Sequence, residues 1–256
     1  MNRDFTLSIY RRLIEDLLKD DFIFLRVADY LLPDEDTPKI VVLRHDIDAR
    51  PENALKMAQL EYQEGIKATY YFRAVKNTFK PDIIKKISEM DHEIGYHYED
   101  LAACKGNQSE AWDSFRKNLA EFRKICAIKT ICMHGSPLQP YDNRDLWKKY
   151  DYKDEEIIGE PYLSMDFSKI SYLTDTGRRW DGFKFNIRDK TQTGMNSSYR
   201  TTFDIINAVK KGRFPSKALI TTHPQRWDDS LLPWATEYFS QRVKNIIKSV
   251  MVSGKH

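Results

Sequence analysis

Apolar positions recur along this chain with two periods. Ser8–Lys19 sets Ile9, Leu13, Leu17 and Leu18 along one side of a helix. Lys39–Leu43 (KIVVL) is a short apolar run of the kind that forms a parallel strand buried on both faces. Pro51 then opens a helix with Leu55, Ala58 and Tyr62 on one face, and Gly65 closes it. Ala68–Phe72 reads as the next strand, Pro81–Met90 as a helix and Glu93–His97 as a strand. Glu110–Ile125 (helix) and Lys129–Met133 (strand) continue the alternation, with a further strand at Lys169–Leu173. Thr202–Lys211 (helix), Ala218–Thr222 (strand) and a closing helix over Trp234–Val250 complete it. The stretch 151–200 is the least regular. Repeated strand–helix units predict parallel strands covered by helices, either an open doubly wound sheet or a closed barrel. No glycine-rich phosphate loop follows the first strand, which weighs against a nucleotide-binding sheet.

Composition narrows the choice. The 256 residues are 41% hydrophobic and 31% charged, enough for a large core. There is no internal repeat and no linker, so one domain over 1–256 is expected, with an N-terminal helical part (1–37) packed on the rest. The net charge of +3 is spread along the chain and gives no argument for nucleic acid. No apolar stretch reaches the length of a membrane span, and Arg3, Asp4, Arg11, Arg12, Glu15 and Asp16 leave no room for a leader's apolar core. Three cysteines, Cys104, Cys126 and Cys132, form no Cys-x-x-Cys pair. These features lead us to expect a cytoplasmic protein with structural thiols.

The chemistry gathers after the strands. His45, His97, His134 and His223 each stand at or just beyond a predicted strand, and parallel strands open on one side. Arg44-His45-Asp46-Ile47-Asp48 puts Arg44, Asp46 and Asp48 on one face of an extended chain and His45 on the other. Two carboxylates so placed repel unless a cation lies between them or one is protonated; the plain alternative is a solvated pair capping the Pro51 helix. His97 is a candidate metal ligand or a core histidine, and Glu99 would share its face if the strand continued. His134-Gly135-Ser136-Pro137 is a tight turn in which Ser136 is a turn residue, lacking the surrounding Gly-x-Ser-x-Gly elbow. His223 could donate a proton at neutral pH. Asp175 could orient a catalytic group or simply sit in the turn before Gly177. Trp227 could form a sugar platform or ordinary packing.

Together these residues resemble the polysaccharide deacetylase family (the NodB-homology domain, carbohydrate esterase family four), from about Lys39 to Trp227. The nearest likeness is to a divergent branch whose first motif reads Arg-His-Asp-x-Asp. The resemblance implies an α/β fold, a distorted (β/α) barrel usually of seven strands. It also implies a divalent metal, often zinc, and hydrolysis of the N-acyl amide of an amino sugar. Asp46 matches the family's base and Asp48 a metal ligand. His97 matches the first histidine of the second motif, but the second falls on Leu101. His134, preferred to Glu99, is expected to take its place, giving Asp48, His97 and His134 as ligands. His223 matches the general acid, with Asp175 tuning it or meeting Arg44. Arg44, Tyr96, Tyr98, Trp180 and Trp227 are candidates to line the sugar site. The cytoplasmic expectation points to a nucleotide- or lipid-linked precursor in surface polysaccharide synthesis. A catalytically inactive carbohydrate-binding barrel and a metal-independent glycosidase are the competing expectations.

Overall fold

A computed structural model describes residues 3–32, 37–135, 140–181 and 199–253. Among the described residues seven parallel strands form one sheet: β1 (Ile23–Leu25), β2 (Ile40–Ile47), β3 (Thr69–Phe72), β4 (Glu93–Tyr98), β5 (Ile131–Met133), β6 (Ser171–Thr174) and β7 (Lys217–Thr222). Their order is β5-β4-β3-β2-β7-β6, with β1 pairing beside the start of β2. The expected strand count is met. Among the described residues β5 and β6 stand at the two edges of the pairing order, so the barrel is open rather than closed.

The helices are α1 (Leu7–Lys19), α2 (Val27–Leu31), α3 (Pro51–Gln63), α4 (Pro81–Glu89), α5 (Asp100–Ala103), α6 (Gln108–Arg123), α7 (Pro161–Ser164), α8 (Thr202–Lys210) and α9 (Leu231–Ser253). Local chemistry sets their starts. The Thr6 hydroxyl accepts from Ile9 N–H at α1, and Asn107 caps α6 in the same way. Proline at the first turn opens α3 and α4, where its missing N–H costs nothing. The three-residue β1 and the short α2 were not foreseen, because neither is long enough to show a period.

Strand alternation divides the core. Val41, Leu43 and Ile47 join the large cluster under the helices, while Ile40 and Val42 point inward with Tyr71, Cys132 and Leu219. Along β2 the interior is thus apolar at its base, while the buried Glu93 of β4 is held beside it by the Thr69 and Thr130 hydroxyls at 2.7 and 2.6 Å. A Cβ on Gly95 would lie 2.2 Å from the Tyr71 ring, so the missing side chain is what lets that ring fill the interior. The predicted end of β2 at Leu43 is four residues early. Arg44 to Ile47 continue the ladder against Thr69 to Phe72 of β3. Charged residues can stay in this buried strand because their partners are built in beside them.

Candidate active site

At the carboxyl end of β2 the inward positions change from apolar to charged. Arg44 is fully buried, and its Nε–H and Nη2–H donate to the two oxygens of Asp46 at 2.8 and 2.7 Å. The guanidinium also lies over the Tyr162 ring, 4.9 Å from its centroid. Burial pushes the Asp46 carboxyl up, but Arg44 and then His97 outweigh it and hold it well below the usual carboxylate range.

Asp48 follows β2 in a tight turn and is the focus of the cluster. Its Oδ1 lies 3.6 Å from His97 Nε2 and 3.5 Å from His134 Nε2, and its Oδ2 lies 3.7 Å from His223 Nε2. These histidines come from β4, the end of β5 and the end of β7. In a flat sheet β5 would stand about 14 Å from β2, three strand spacings away. Side chains rise perpendicular to a sheet, so the convergence requires the sheet to curl around Asp48.

Each imidazole is held by its other nitrogen. His97 Nδ1–H donates to the Cys132 carbonyl at 2.9 Å, His134 Nδ1–H to Glu99 Oε2 at 3.0 Å, and His223 Nδ1–H to Asp175 Oδ1 at 2.6 Å. All three partners can only accept, which places a proton on each Nδ1 and turns each Nε2 toward Asp48. Asp48 Oδ1 is buried and has no hydrogen-bond partner. Three imidazole nitrogens and a carboxylate therefore face one spot.

That donor set suits a divalent cation. Two ligands of a tetrahedral zinc site stand about 3.3 Å apart, close to the separations around Asp48. Backing each histidine with a carboxylate or carbonyl is how metal ligands are oriented. The side chains are not drawn in to coordination distance, and among the described residues no three His, Cys, Asp or Glu side chains form a finished metal cage. The electrostatics agree with the donor chemistry. Burial lowers His134, yet Asp48 and Glu99 outweigh it and lift the imidazole above its ordinary value. A cation would feel the same pull. Burial takes His97 down to about 4, so it is neutral at physiological pH.

Glu99 stands behind His134 rather than competing with it. Arg73 grips Glu99 through three hydrogen bonds of 2.7–3.0 Å, and its carboxyl falls to about 2 as His134 and Arg73 overcome burial. The Arg73–Glu99 pair was missed, although Glu99 lies two residues past His97. Asn143 donates to the His134 carbonyl at 2.8 Å and fixes that loop. Leu101 is buried on α5, away from any ligand role. Ser136 and Pro137 lie outside the described residues.

Asp175 meets His223 and not Arg44. It also accepts from the His223 backbone N–H at 3.0 Å, from Arg226 and from the Trp227 indole at 2.9 Å. Burial opposes its ionisation, but Arg226 and His223 bring it down to about 2. The structure corrects several expected sugar contacts. Trp227 is fully buried and acts as a donor to Asp175. Trp180 is buried and donates to the Thr202 hydroxyl at 3.0 Å. Tyr96 and Tyr98 point to the helix side, where the Tyr96 hydroxyl donates to Asp100 and Tyr98 accepts from Trp147. With His97 facing inward, its neighbours must face outward. Arg44 is spent on Asp46. His45 likewise faces the helices, lying 2.8 Å from Glu61 on α3, so three of the four strand-end histidines converge.

No family model and no curated protein matches this chain. Solved structures do. The chain is similar to PdaA of Bacillus subtilis, a family 4 carbohydrate esterase, at 14% identity and TM-score 0.45, over 90% of this chain and 83% of that one. It is similar to the Bc1960 peptidoglycan N-acetylglucosamine deacetylase at 18% identity and TM-score 0.45, over 86% and 85%. It is also similar to wild-type BA3943, a CE4 family pseudoenzyme from Bacillus anthracis, at 13% identity and TM-score 0.44. That match covers 84% of this chain but only 63% of BA3943, less than two thirds of its length.

Proposed function

We propose that this chain is a metal-dependent hydrolase that removes an N-acyl group, acetyl or formyl, from an amino sugar in a glycan or glycan precursor. The observation that carries the reading is the convergence of three imidazoles on Asp48, with His97 and His134 Nε2 at its partnerless Oδ1 and His223 Nε2 at its Oδ2, beside the clamped Asp46. Asp48, His97 and His134 would hold the metal, zinc being the ion that best suits this mixed imidazole and carboxylate set. A bound divalent ion would supply a lowered water pKa and polarisation of the acyl oxygen.

The chain's own groups do the rest. Asp46 accepts a proton as water oxygen bonds to the acyl carbon. Arg44 aims both Asp46 oxygens and makes Asp46 a weak base, so its role needs a water that is already acidified. The protonated form of His223 gives a proton to the departing nitrogen as the carbon–nitrogen bond breaks. Asp175 keeps the His223 ring oriented and stabilises its charge. Asp46 and His223 then return to their starting states by exchange with solvent.

A metal-independent glycosidase fits less well. It needs one carboxyl kept protonated as an acid at the site, whereas Asp46 and Asp48 there both lie below the ordinary value, and Glu160, which lies above it, is fully buried. The finer reading, a nucleotide- or lipid-linked precursor in surface polysaccharide synthesis, is supported by the cysteine content, an odd three with no Cys-x-x-Cys pair, which suits a reducing compartment. The test is acetate release from N-acetylglucosamine oligomers and from nucleotide-linked N-acetylglucosamine after zinc loading. Release abolished by a chelator and by Asp46→Asn supports hydrolysis. Sugar binding without release, by a zinc-loaded protein, would favour the inactive carbohydrate-binding barrel.

A further inference from the structure

We infer that the outer face of α9 is a docking surface for an anionic lipid bilayer. The inference is independent of the hydrolytic reading. One side of α9 is anchored to the fold. The Trp234 indole donates to the Asp4 carbonyl at 2.7 Å, Asn245 donates to the Gly177 carbonyl at 2.9 Å, and Glu237 pairs with Arg178. The other side is apolar and open to solvent. Leu231 is 64% exposed, Leu232 80%, Phe239 64% and Val243 57%. Leu232, Phe239 and Val243 are seven and four residues apart, which stacks them along one helix face. Elsewhere among the described residues, exposed large apolar side chains are scattered: Ile23, Leu32, Tyr62, Ile158 and Leu163. Scattered ones are ordinary, whereas an aligned set on one helix marks an interaction face.

Charge selects the occupant. On α9 the stretch Tyr238–Ile246 carries Arg242 and Lys244 and no acidic residue, and Glu237 before it is taken by Arg178. Arg242 and Lys244 are exposed and flank Val243. Beside α9, Arg200 and Arg242 also line a cavity of about 500 Å³. A helix with Leu and Phe on one face and Lys and Arg at its borders suits the headgroup region of an anionic bilayer. No described helix is long and apolar enough to cross a membrane, so α9 would lie in the interface plane. A second copy fits less well, because a two-fold pairing about Val243 would bring Arg242 and Lys244 against their own counterparts.

The test is co-sedimentation of the full chain with vesicles at about 1 mM lipid. One set is phosphatidylcholine alone, and the other includes phosphatidylglycerol at about 30%. Phe239→Ser/Val243→Ser removes the apolar stripe, and Arg242→Glu/Lys244→Glu reverses the charge. We expect the wild type to pellet with the anionic vesicles and at least about tenfold less with neutral ones. Both double variants should stay in the supernatant with an unchanged near-ultraviolet spectrum. If the serine variant fails to fold, the charge variant carries the test, since both of its side chains are exposed. No wild-type binding, equal binding to neutral vesicles, or wild-type-like binding by the folded variants would overturn the inference. So would a wild-type dimer, seen by sedimentation velocity, that the serine variant abolishes.

Discussion

Two histidine–carboxylate clusters lie back to back across β2, and they end differently. On the helix side Glu61 accepts from the Tyr10 and Tyr70 hydroxyls at 2.5 and 2.7 Å, one at each oxygen. His45 Nδ1 meets Thr222 at 2.6 Å, and His92 Nε2 meets the Ala58 carbonyl at 3.0 Å. His45 Nε2 stands 2.8 Å from Glu61. On the inner side Asp48 has histidines at 3.5–3.7 Å and an oxygen with nothing bound to it. Residue types alone do not separate the two clusters. Unused bonding capacity does, since a structural cluster saturates its carboxylate with donors and a binding cluster leaves lone pairs aimed at one point.

The comparison can be broken first on the inner side. Asp46→Asn should lower acyl release on the order of 10³-fold while metal content stays at the wild-type level. His223→Ala should do likewise; if it sheds the metal instead, His223 is a ligand and the proton donor lies elsewhere. On the outer side Glu61→Leu removes the acceptor that buried tyrosines and histidines share. We expect a loss of about 3–5 kcal/mol in urea denaturation, with metal stoichiometry per folded molecule unchanged.

A third buried carboxylate sharpens the contrast. Glu160 accepts from Met133 N–H and Leu163 N–H, yet burial outweighs these bonds and raises it from 4.5 to about 7. A carboxyl with a raised folded pKa binds more protons folded than unfolded between those values. Its contribution to stability is therefore present below about 4.5 and is lost as pH rises through about 7. Wild-type stability should fall across that window by roughly 3 kcal/mol relative to Glu160→Gln, measured by denaturation at both ends. The smallest expected effect is Glu99→Gln, which should weaken metal binding by about 10–100-fold through loss of His134 orientation.

Much of this was legible in the chain. The apolar runs at Lys39–Leu43 and Ala218–Thr222 located the strands, and period-two alternation put Arg44, Asp46 and Asp48 on one face. The same rule, applied to His97, would have turned Tyr96 and Tyr98 away from the site. Long-range partners were not legible. Glu61 is one charged residue in a mixed helix, and only the packing of α3 on β2 shows that it takes His45. Arg73 and Glu99 lie 26 residues apart and meet because β3 and β4 are neighbours. Trp227 reads as a sugar platform until its indole is seen bound to Asp175.

On this reading Asp48, His97 and His134 hold one divalent ion, and His223 stays outside the ligand set as the proton donor. The most direct measurement is zinc binding at equilibrium to the wild type, Asp48→Asn and Glu61→Gln, with folding checked by circular dichroism. The account predicts one tightly bound equivalent for the wild type and for Glu61→Gln, and none for Asp48→Asn. A folded wild type that binds no zinc or other divalent ion, or an Asp48→Asn variant that binds as the wild type does, would contradict it.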